Sequence, residues 1–207
     1  ENGFLQYTFN VAEDRFLCLD TKKDEPASSG QYCEKRMSWL DNELKKTKQN
    51  VYLFMHHPPF DVGVPYMDRI KLDEAEAFGD LISSHKNVRH IFVGHVHRPV
   101  FLTWRGITCS ACPGINHQIP LVGRAVSTNY SIEPPMYAVI EVENGDIRIN
   151  LDAFLDRLPV AHKPDQPLRW PYLRQAFFIS AKPGYRLQQK GWEEPNGYSF
   201  IILILFI

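Results

Sequence analysis

Two strand-like segments, each followed closely by two histidines, are the strongest constraint on how this sequence can fold. Val51–Met55 leads into His56 and His57, and Val88–Val93 leads into Gly-His-Val-His at 94–97. Val51–Met55 is an unbroken apolar run, which is typical of a strand that is covered on both faces. A helical spacing of apolar residues separates the two segments. Strand, helix and strand in this order predict a parallel α/β unit, and such units place ligand sites at the carboxyl ends of their strands.

The flanking segments extend this α/β pattern. Helices are predicted over about residues 31–48 and over an apolar stripe from Leu72 to Ile82. Further short strands are predicted at 5–11, 15–19, 100–104, 107–111, 136–142 and 146–151, the last two joined by an Asn144-Gly145 turn. The periodicity fades after about residue 155. We therefore expect residues 1–155 to belong to one domain and residues 156–207 to be an extension of uncertain structure.

Composition limits the classes of binding partner and the cellular compartment that we expect for this chain. The formal net charge is −1, from 23 basic and 24 acidic residues, which argues against an extended basic surface for nucleic acid. The apolar run Phe200–Ile207 is far shorter than the ~20 residues of a membrane-spanning helix, so no membrane partner is expected. The cysteines, at 18, 33, 109 and 112, show no disulfide framework. A reducing compartment fits this usage, and we expect a cytoplasmic protein.

Histidines at strand ends suit a metal centre. Imidazole is a good ligand for Zn, Fe, Mn and Co, and a strand end fixes the direction of the side chain. His95 and His97 lie two residues apart, so both would leave the same face of an extended segment. His56 and His57 are adjacent, so only one of them is expected to face the same metal. Each could instead be a hydrogen-bonded polar residue, but two such strand ends in one unit favour a metal site.

The ordered motifs resemble those of the calcineurin-like metallophosphoesterases. The sequence reads Met-His-His-Pro-Pro at 55–59, Gly-His-Val-His at 94–97 and Pro-Gly-Ile-Asn-His-Gln-Ile-Pro at 113–120. Within that superfamily the set is most similar to the class III cyclic-nucleotide phosphodiesterases and the bacterial glycerophosphodiesterases, over about residues 1 to 155. The resemblance implies an α/β fold, a four-layer α/β/β/α sandwich of which this chain would supply a part.

The resemblance also implies roles for individual histidines. His56 and His95 would bind one metal ion of a pair, and His97 would bind the other. His117 would approach the substrate phosphate, with a hydrogen-bonded loop histidine as the alternative. His57 would be a neighbour of the ligands, with a substrate contact as the alternative. The implied cofactors are two divalent metal ions, of Mn, Fe, Zn or Co.

Three motifs of the resembled family are absent. The sequence contains no D-x-H, GDxxD or GNHD, which would supply a bridging aspartate, an asparagine ligand and a histidine beside the leaving group. We therefore expect a C-terminal portion of a longer protein, with an incomplete site and little activity by itself.

The expected function of the full-length protein is metal-dependent hydrolysis of a small phosphodiester, either a cyclic nucleotide or a glycerophosphodiester. The alternatives are a phosphomonoesterase or nuclease of the same superfamily, and a non-catalytic remnant that binds a metal or a partner. Uncovered sheet faces and strand edges would favour homo-oligomers.

Overall fold

The computed structural model describes residues 3–121, 130–131, 133–143 and 145–153 in full, and the backbone of 176–180 and 200–205. The strands are β1 (Tyr7–Val11), β2 (Asp14–Cys18), β3 (Asn50–Met55), β4 (Val88–Val93), β5 (Val100–Trp104), β6 (Ile107–Ala111), β7 (Met136–Glu143), β8 (Asp146–Ala153), β9 (Ala176–Ser180) and β10 (Phe200–Leu205). The helices are α1 (Glu34–Lys45), α2 (Pro65–Asp68) and α3 (Ala75–Ser83). The fold is α/β, as predicted.

The first sheet contains the predicted parallel unit. Its strand order is β1-β2-β3-β4-β6-β5. Strands β2, β3, β4 and β6 pair in parallel, whereas β1 and β5 add antiparallel partners at the two edges. Helix α3 lies between β3 and β4 in the chain, so the predicted strand, helix and strand are confirmed. Helix α2 was not predicted; it is a single short turn that begins at Pro65, a residue suited to the first position of a helix.

The central strands are buried on both faces because they separate two hydrophobic cores. Leu53 of β3 contributes to one core, together with Leu40 of α1 and Phe78 of α3. The next residue along, Phe54, contributes to the other core with Ile140 of β7. Successive residues of a strand point to opposite faces, so a strand that is covered on both sides shows no polar alternation. This burial explains the unbroken apolar run of β3.

The second sheet packs across the face of the first sheet that the helices leave free. Its strand order is β8-β7-β10-β9, in which β10 pairs antiparallel with β7 and parallel with β9. Within the described residues the layers are therefore helix, sheet and sheet; the fourth, helical layer of the predicted sandwich stays a prediction. Asn144 of the predicted turn lies outside the described residues, but β7 and β8 pair as the predicted hairpin, and Gly145 has a φ of 84°.

The predicted boundary near residue 155 is not tested by these features. Most of the expected extension, 156–207, lies outside the described residues. Its two described strands belong to the second sheet through β10. None of the helices in the described ranges has the length and hydrophobicity required to span a membrane.

Candidate metal centre

Strands β3 and β4 bring three histidines together at one edge of the first sheet. The two strands pair in parallel with Met55 opposite Val93, so the residues that follow them are neighbours. The ring centroids of His56 and His95 are 5.1 Å apart, and that of His57 lies 4.5 Å from His95. One ring nitrogen from each of the three lies within 4.8 Å of the other two. A small side-chain adjustment would bring these nitrogens within the span of two metal–nitrogen bonds of ~2.0–2.1 Å.

The backbone after β4 turns sharply instead of continuing in an extended conformation. His95 has a φ of 67° and His97 a φ of 48°, both in the left-handed region. The Gly94 N–H donates to the His56 carbonyl at 3.0 Å, which ties the turn to the end of β3. The prediction of an extended 94–97 segment is therefore wrong. Left-handed non-glycine residues are uncommon and concentrate at functional sites, where the surrounding structure holds them.

The turn sends His97 toward a different neighbour from His95. The His97 ring centroid lies 4.4 Å from that of His117, and its Nδ1 lies 3.1 Å from the His117 carbonyl oxygen. The His117 ring also meets the edge of Tyr130, with centroids 4.3 Å apart. His97 and His117 are both half-buried, whereas Tyr130 is 67% exposed. The predicted substrate contact, His117, thus lies beside a predicted metal ligand and close to solvent.

One ring nitrogen of the histidine cluster is a candidate ligand atom for a cation. The Nε2 atom of His95 is buried and has no hydrogen-bond partner within the described residues. A buried polar atom without a partner costs about 1–3 kcal/mol. The Nδ1 atoms of His97 and His57 each lie within hydrogen-bond distance of an oxygen atom. For His97 this is the His117 carbonyl oxygen, and for His57 it is Thr21 Oγ1 at 2.9 Å. A hydrogen bond at one ring nitrogen orients the ring and leaves the other as the potential ligand atom.

Burial keeps the cluster in the protonation state that binds metals. Removal from water lowers the pKa of His56 to about 4, that of His57 to about 3 and that of His95 to about 2, and neighbouring imidazoles add to each shift. Burial also lowers the pKa of His97. Neutral imidazole carries the lone pair that a cation needs. At neutral pH these rings therefore offer ligand atoms without competition from protons.

No protein-family model matches the sequence. Over 159 residues, however, the chain is 35% identical to the protein named "Probable cyclic nucleotide phosphodiesterase" of Rhodopseudomonas palustris, an alignment that covers 74% of this chain and 58% of that protein. The chain belongs to the calcineurin-like metallophosphoesterase superfamily. It is also 30% identical over 138 residues to the "Probable glycerophosphodiester phosphodiesterase" of Arcobacter nitrofigilis, covering 65% of this chain and 50% of that protein.

This metallophosphoesterase chain spans about half the length of the curated relatives it matches, 58% and 50% for the two named above. Among solved structures, a dimetal phosphatase from Danio rerio aligns over 55% of this chain and 50% of that chain, with a TM-score of 0.46 at 21% identity. That structural likeness is too low to support an argument about the site.

The histidine cluster also differs from its prediction at His57. His56 and His57 were expected to face opposite ways, yet both rings lie within 5.1 Å of the His95 ring, measured between centroids. The alternation of an extended strand ends with β3 at Met55, so it does not govern the two residues that follow. The assignment of His56, His95 and His97 as ligands stays a prediction, as does the exclusion of His57.

Sequence reasoning missed the residues that hold the loop of His117 in place. The buried Gln118 side chain bonds to both backbone groups of Gly114: its Oε1 accepts from the Gly114 N–H at 3.0 Å, and its Nε2 donates to the Gly114 carbonyl at 2.6 Å. A Cβ atom on Gly114 would lie 2.3 Å from the His117 carbonyl oxygen and 2.7 Å from His97 Nδ1. The spacing Pro-Gly-x-x-His-Gln was the available signal, but only its histidine was assigned a role.

Proposed function

We propose that this chain supplies the histidine-rich part of a two-metal centre that hydrolyses small phosphodiesters. The observation that carries the proposal is the buried, unpartnered Nε2 atom of His95 within a cluster of neutral imidazoles. The similarity to two proteins named as phosphodiesterases supports the reaction class. The proposed substrates are cyclic nucleotides or glycerophosphodiesters, in keeping with those two names.

In this proposal each histidine has one task. His56 and His95 hold one divalent cation, His97 holds the other, and the second ring nitrogen of His97 is oriented by the carbonyl of residue 117. His117, half-buried beside His97, can donate a hydrogen bond to a phosphate oxygen. Imidazole ligands suit Mn, Fe, Zn or Co. When bound, such cations neutralise charge on the phosphoryl group and lower the pKa of a coordinated water.

The site in this chain is proposed to be incomplete. Within the described residues the candidate cluster consists of imidazoles alone, which add no negative charge when neutral. Two dications at the ~3.5–4 Å spacing of two-metal sites repel each other strongly unless a carboxylate bridges them. We therefore infer that the chain by itself binds at most one cation weakly and turns over little or no substrate. A longer protein would contribute the carboxylates.

The experiment is a Co²⁺ titration of the 207-residue chain, followed by visible absorption and calorimetry. The parent is expected to bind at most one ion, and His95→Ala should weaken that binding by about 100-fold or more, the loss expected when a direct ligand and its burial are removed. His85→Ala is the matched control, because His85 follows α3 and pairs with Asp41 at 3.3 Å, away from the cluster. Unchanged Co²⁺ affinity in His95→Ala would refute the metal centre.

The same preparations test the incompleteness of the site. Incubation with Mn²⁺ or Co²⁺ and a chromogenic diester such as bis(4-nitrophenyl) phosphate is expected to give no hydrolysis above the buffer rate. Robust hydrolysis by the isolated chain contradicts the incomplete site while leaving the metal centre intact. In a longer protein that contains the missing motifs, His95→Ala is expected to abolish diester hydrolysis.

A further inference from the structure

A buried threonine holds His57 by both its backbone and its ring. Thr21, which is 2% exposed, lies shortly after the end of β2. Its hydroxyl oxygen accepts the backbone N–H of His57 at 3.3 Å and lies 2.9 Å from the Nδ1 atom of the same residue. A single hydroxyl thus contacts two sites of one histidine, which restricts both the position and the rotation of the ring.

A glycine also packs closely against the His57 side chain. A Cβ atom on Gly30 would lie 2.5 Å from the Cβ atom of His57 and 2.6 Å from its Cγ atom. The backbone of Gly30 has little freedom to withdraw, because its N–H donates to the Lys71 carbonyl at 3.2 Å and its carbonyl accepts from Asp73 N–H at 2.9 Å. The His57 side chain therefore fills a slot with no spare room on this side.

The His57 ring also lies against the rings of two candidate ligands, His56 and His95. Its centroid lies 4.5 Å from that of His95 and 4.8 Å from that of His56, in the latter case with the ring planes nearly perpendicular. Rings at these distances are in van der Waals contact. Any freedom of the His57 ring would therefore be passed on to the two rings beside it.

We propose that Thr21 is a positioning residue of the metal centre. Its hydroxyl, together with the close approach of Gly30, locks the His57 ring, and the locked ring holds His95 and His56 in the geometry that binds a cation. This inference rests on the metal centre proposed above. Groups that are hydrogen-bonded directly to metal ligands alter metal affinity by roughly 10–100-fold when they are replaced, and Thr21, which acts through the His57 ring, is expected at the lower end of that range.

The test is Co²⁺ binding by threonine variants of the 207-residue chain. Thr21→Val keeps the shape of the side chain and removes the hydroxyl, so it should weaken Co²⁺ binding by about 10-fold or more. Thr21→Ser restores the hydroxyl and should bind within about threefold of the parent. Thr47→Val is the matched control: Thr47 is also buried and accepts a backbone N–H, from Gln49 at 3.1 Å, but it precedes the opposite end of β3.

A second readout requires no metal. In the metal-free chain, ¹⁵N chemical shifts of the His57 ring should show one fixed tautomer for the parent and for Thr21→Ser. Thr21→Val should show shifts averaged between tautomers. A structural role in folding alone would lower the stability of the chain without changing these shifts. Parent-like shifts together with parent-like Co²⁺ affinity in Thr21→Val overturn the inference.

Other outcomes separate this inference from the function on which it rests. A parent chain that binds no Co²⁺ contradicts the metal centre itself. Equal losses of affinity in Thr21→Val and Thr47→Val would indicate general destabilisation and overturn the role of Thr21. If Thr21→Val does not fold, Gly30→Ala is the alternative variant, because its added methyl group would displace the His57 side chain. Folded Gly30→Ala protein with parental Co²⁺ affinity also overturns the inference.

Discussion

The candidate site has two walls that are built differently. The inner wall, His56, His57 and His95, follows directly from the ends of two paired strands and includes the buried His57. The outer wall, His97, His117 and Tyr130, includes loop residues and reaches a side chain that is 67% exposed. A wall fixed by strand ends suits the binding of an ion, whereas a wall that reaches an exposed side chain suits contact with a ligand that arrives from solvent.

The two walls also differ in what keeps them in place. Strand pairing between β3 and β4 sets the inner wall, and Thr21 and Gly30 confine its His57 ring. The outer wall depends on the side chain of Gln118 and on the close approach of Gly114 to His97. We therefore expect that some substitutions perturb the outer wall without affecting the inner wall.

The largest effect on the outer wall is expected from Gly114→Ala. The new Cβ atom would lie 2.3 Å from a backbone oxygen, which cannot turn away as a flexible side chain could. We expect the free energy of unfolding, measured with urea, to fall by about 3 kcal/mol, near the upper end of the usual cost of overpacking. Co²⁺ binding at the inner wall should remain within a few-fold of the parent in the folded protein.

Gly63→Ala is the control for this substitution. Gly63 has a φ of 78° with no atom within 4 Å of a Cβ position, so alanine there meets only conformational strain, of about 1–2 kcal/mol. If Gly114→Ala is no more destabilising than Gly63→Ala, the close approach at residue 114 is not a constraint. If Gly114→Ala instead abolishes Co²⁺ binding in folded protein, the two walls are one unit and the comparison fails.

Much of the inner wall was predictable because its signals are local. An apolar run marks a strand, the strand ends where the run ends, and the next residues lie at the carboxyl edge of the sheet. The detailed directions were not predictable. Alternation stops with the strand at Met55, and the left-handed φ of His95 reflects the turn tied to His56 rather than any local preference of histidine.

The supports of both walls were out of reach of sequence patterns. Thr21 is 36 residues from His57 in the chain, and no periodicity relates the two. Gln118 lies within a motif that was noted, but its bonds to Gly114 depend on a loop conformation that the sequence does not reveal. Contacts of this kind are set by tertiary structure, whereas the hydrophobic pattern was sufficient to predict the strand–helix–strand order.

A smaller effect is expected from Gln118→Leu. The substitution leaves the buried N–H of Gly114 without its partner at 3.0 Å, whereas the Gly114 carbonyl loses its bond at 2.6 Å but keeps the one from the Met136 N–H at 3.2 Å. Unsatisfied buried groups cost about 1–3 kcal/mol, so the urea midpoint should fall while the slope of the transition is unchanged. Loss of the fixed loop should also broaden the ring resonances of His117 in NMR spectra.

Gln6→Leu is the matched control for Gln118→Leu. Gln6 is also buried, and its Oε1 accepts from the Tyr32 hydroxyl at 3.3 Å rather than bonding to the 114–118 loop. It should lower stability without affecting the His117 resonances. Sharp, parent-like His117 signals in Gln118→Leu would show that the loop is held by something other than this glutamine.

The smallest effect should come from Tyr130→Ala, at the solvent end of the outer wall. The Tyr130 ring meets His117 edge-on with centroids 4.3 Å apart, and aromatic pairs of this kind contribute about 0.5–1.5 kcal/mol. In the longer protein proposed above, substrate binding would have to supply the energy lost from this ring pair, so KM for a diester should rise by about two- to tenfold. The value of kcat should be nearly unchanged, because the metal ligands are untouched. Phe101→Ala removes a similarly exposed ring from β5 and should leave KM as it is. A loss confined to kcat in Tyr130→Ala would mean that the outer wall takes part in the chemical step rather than in meeting the substrate, and the division of labour between the walls would have to be redrawn.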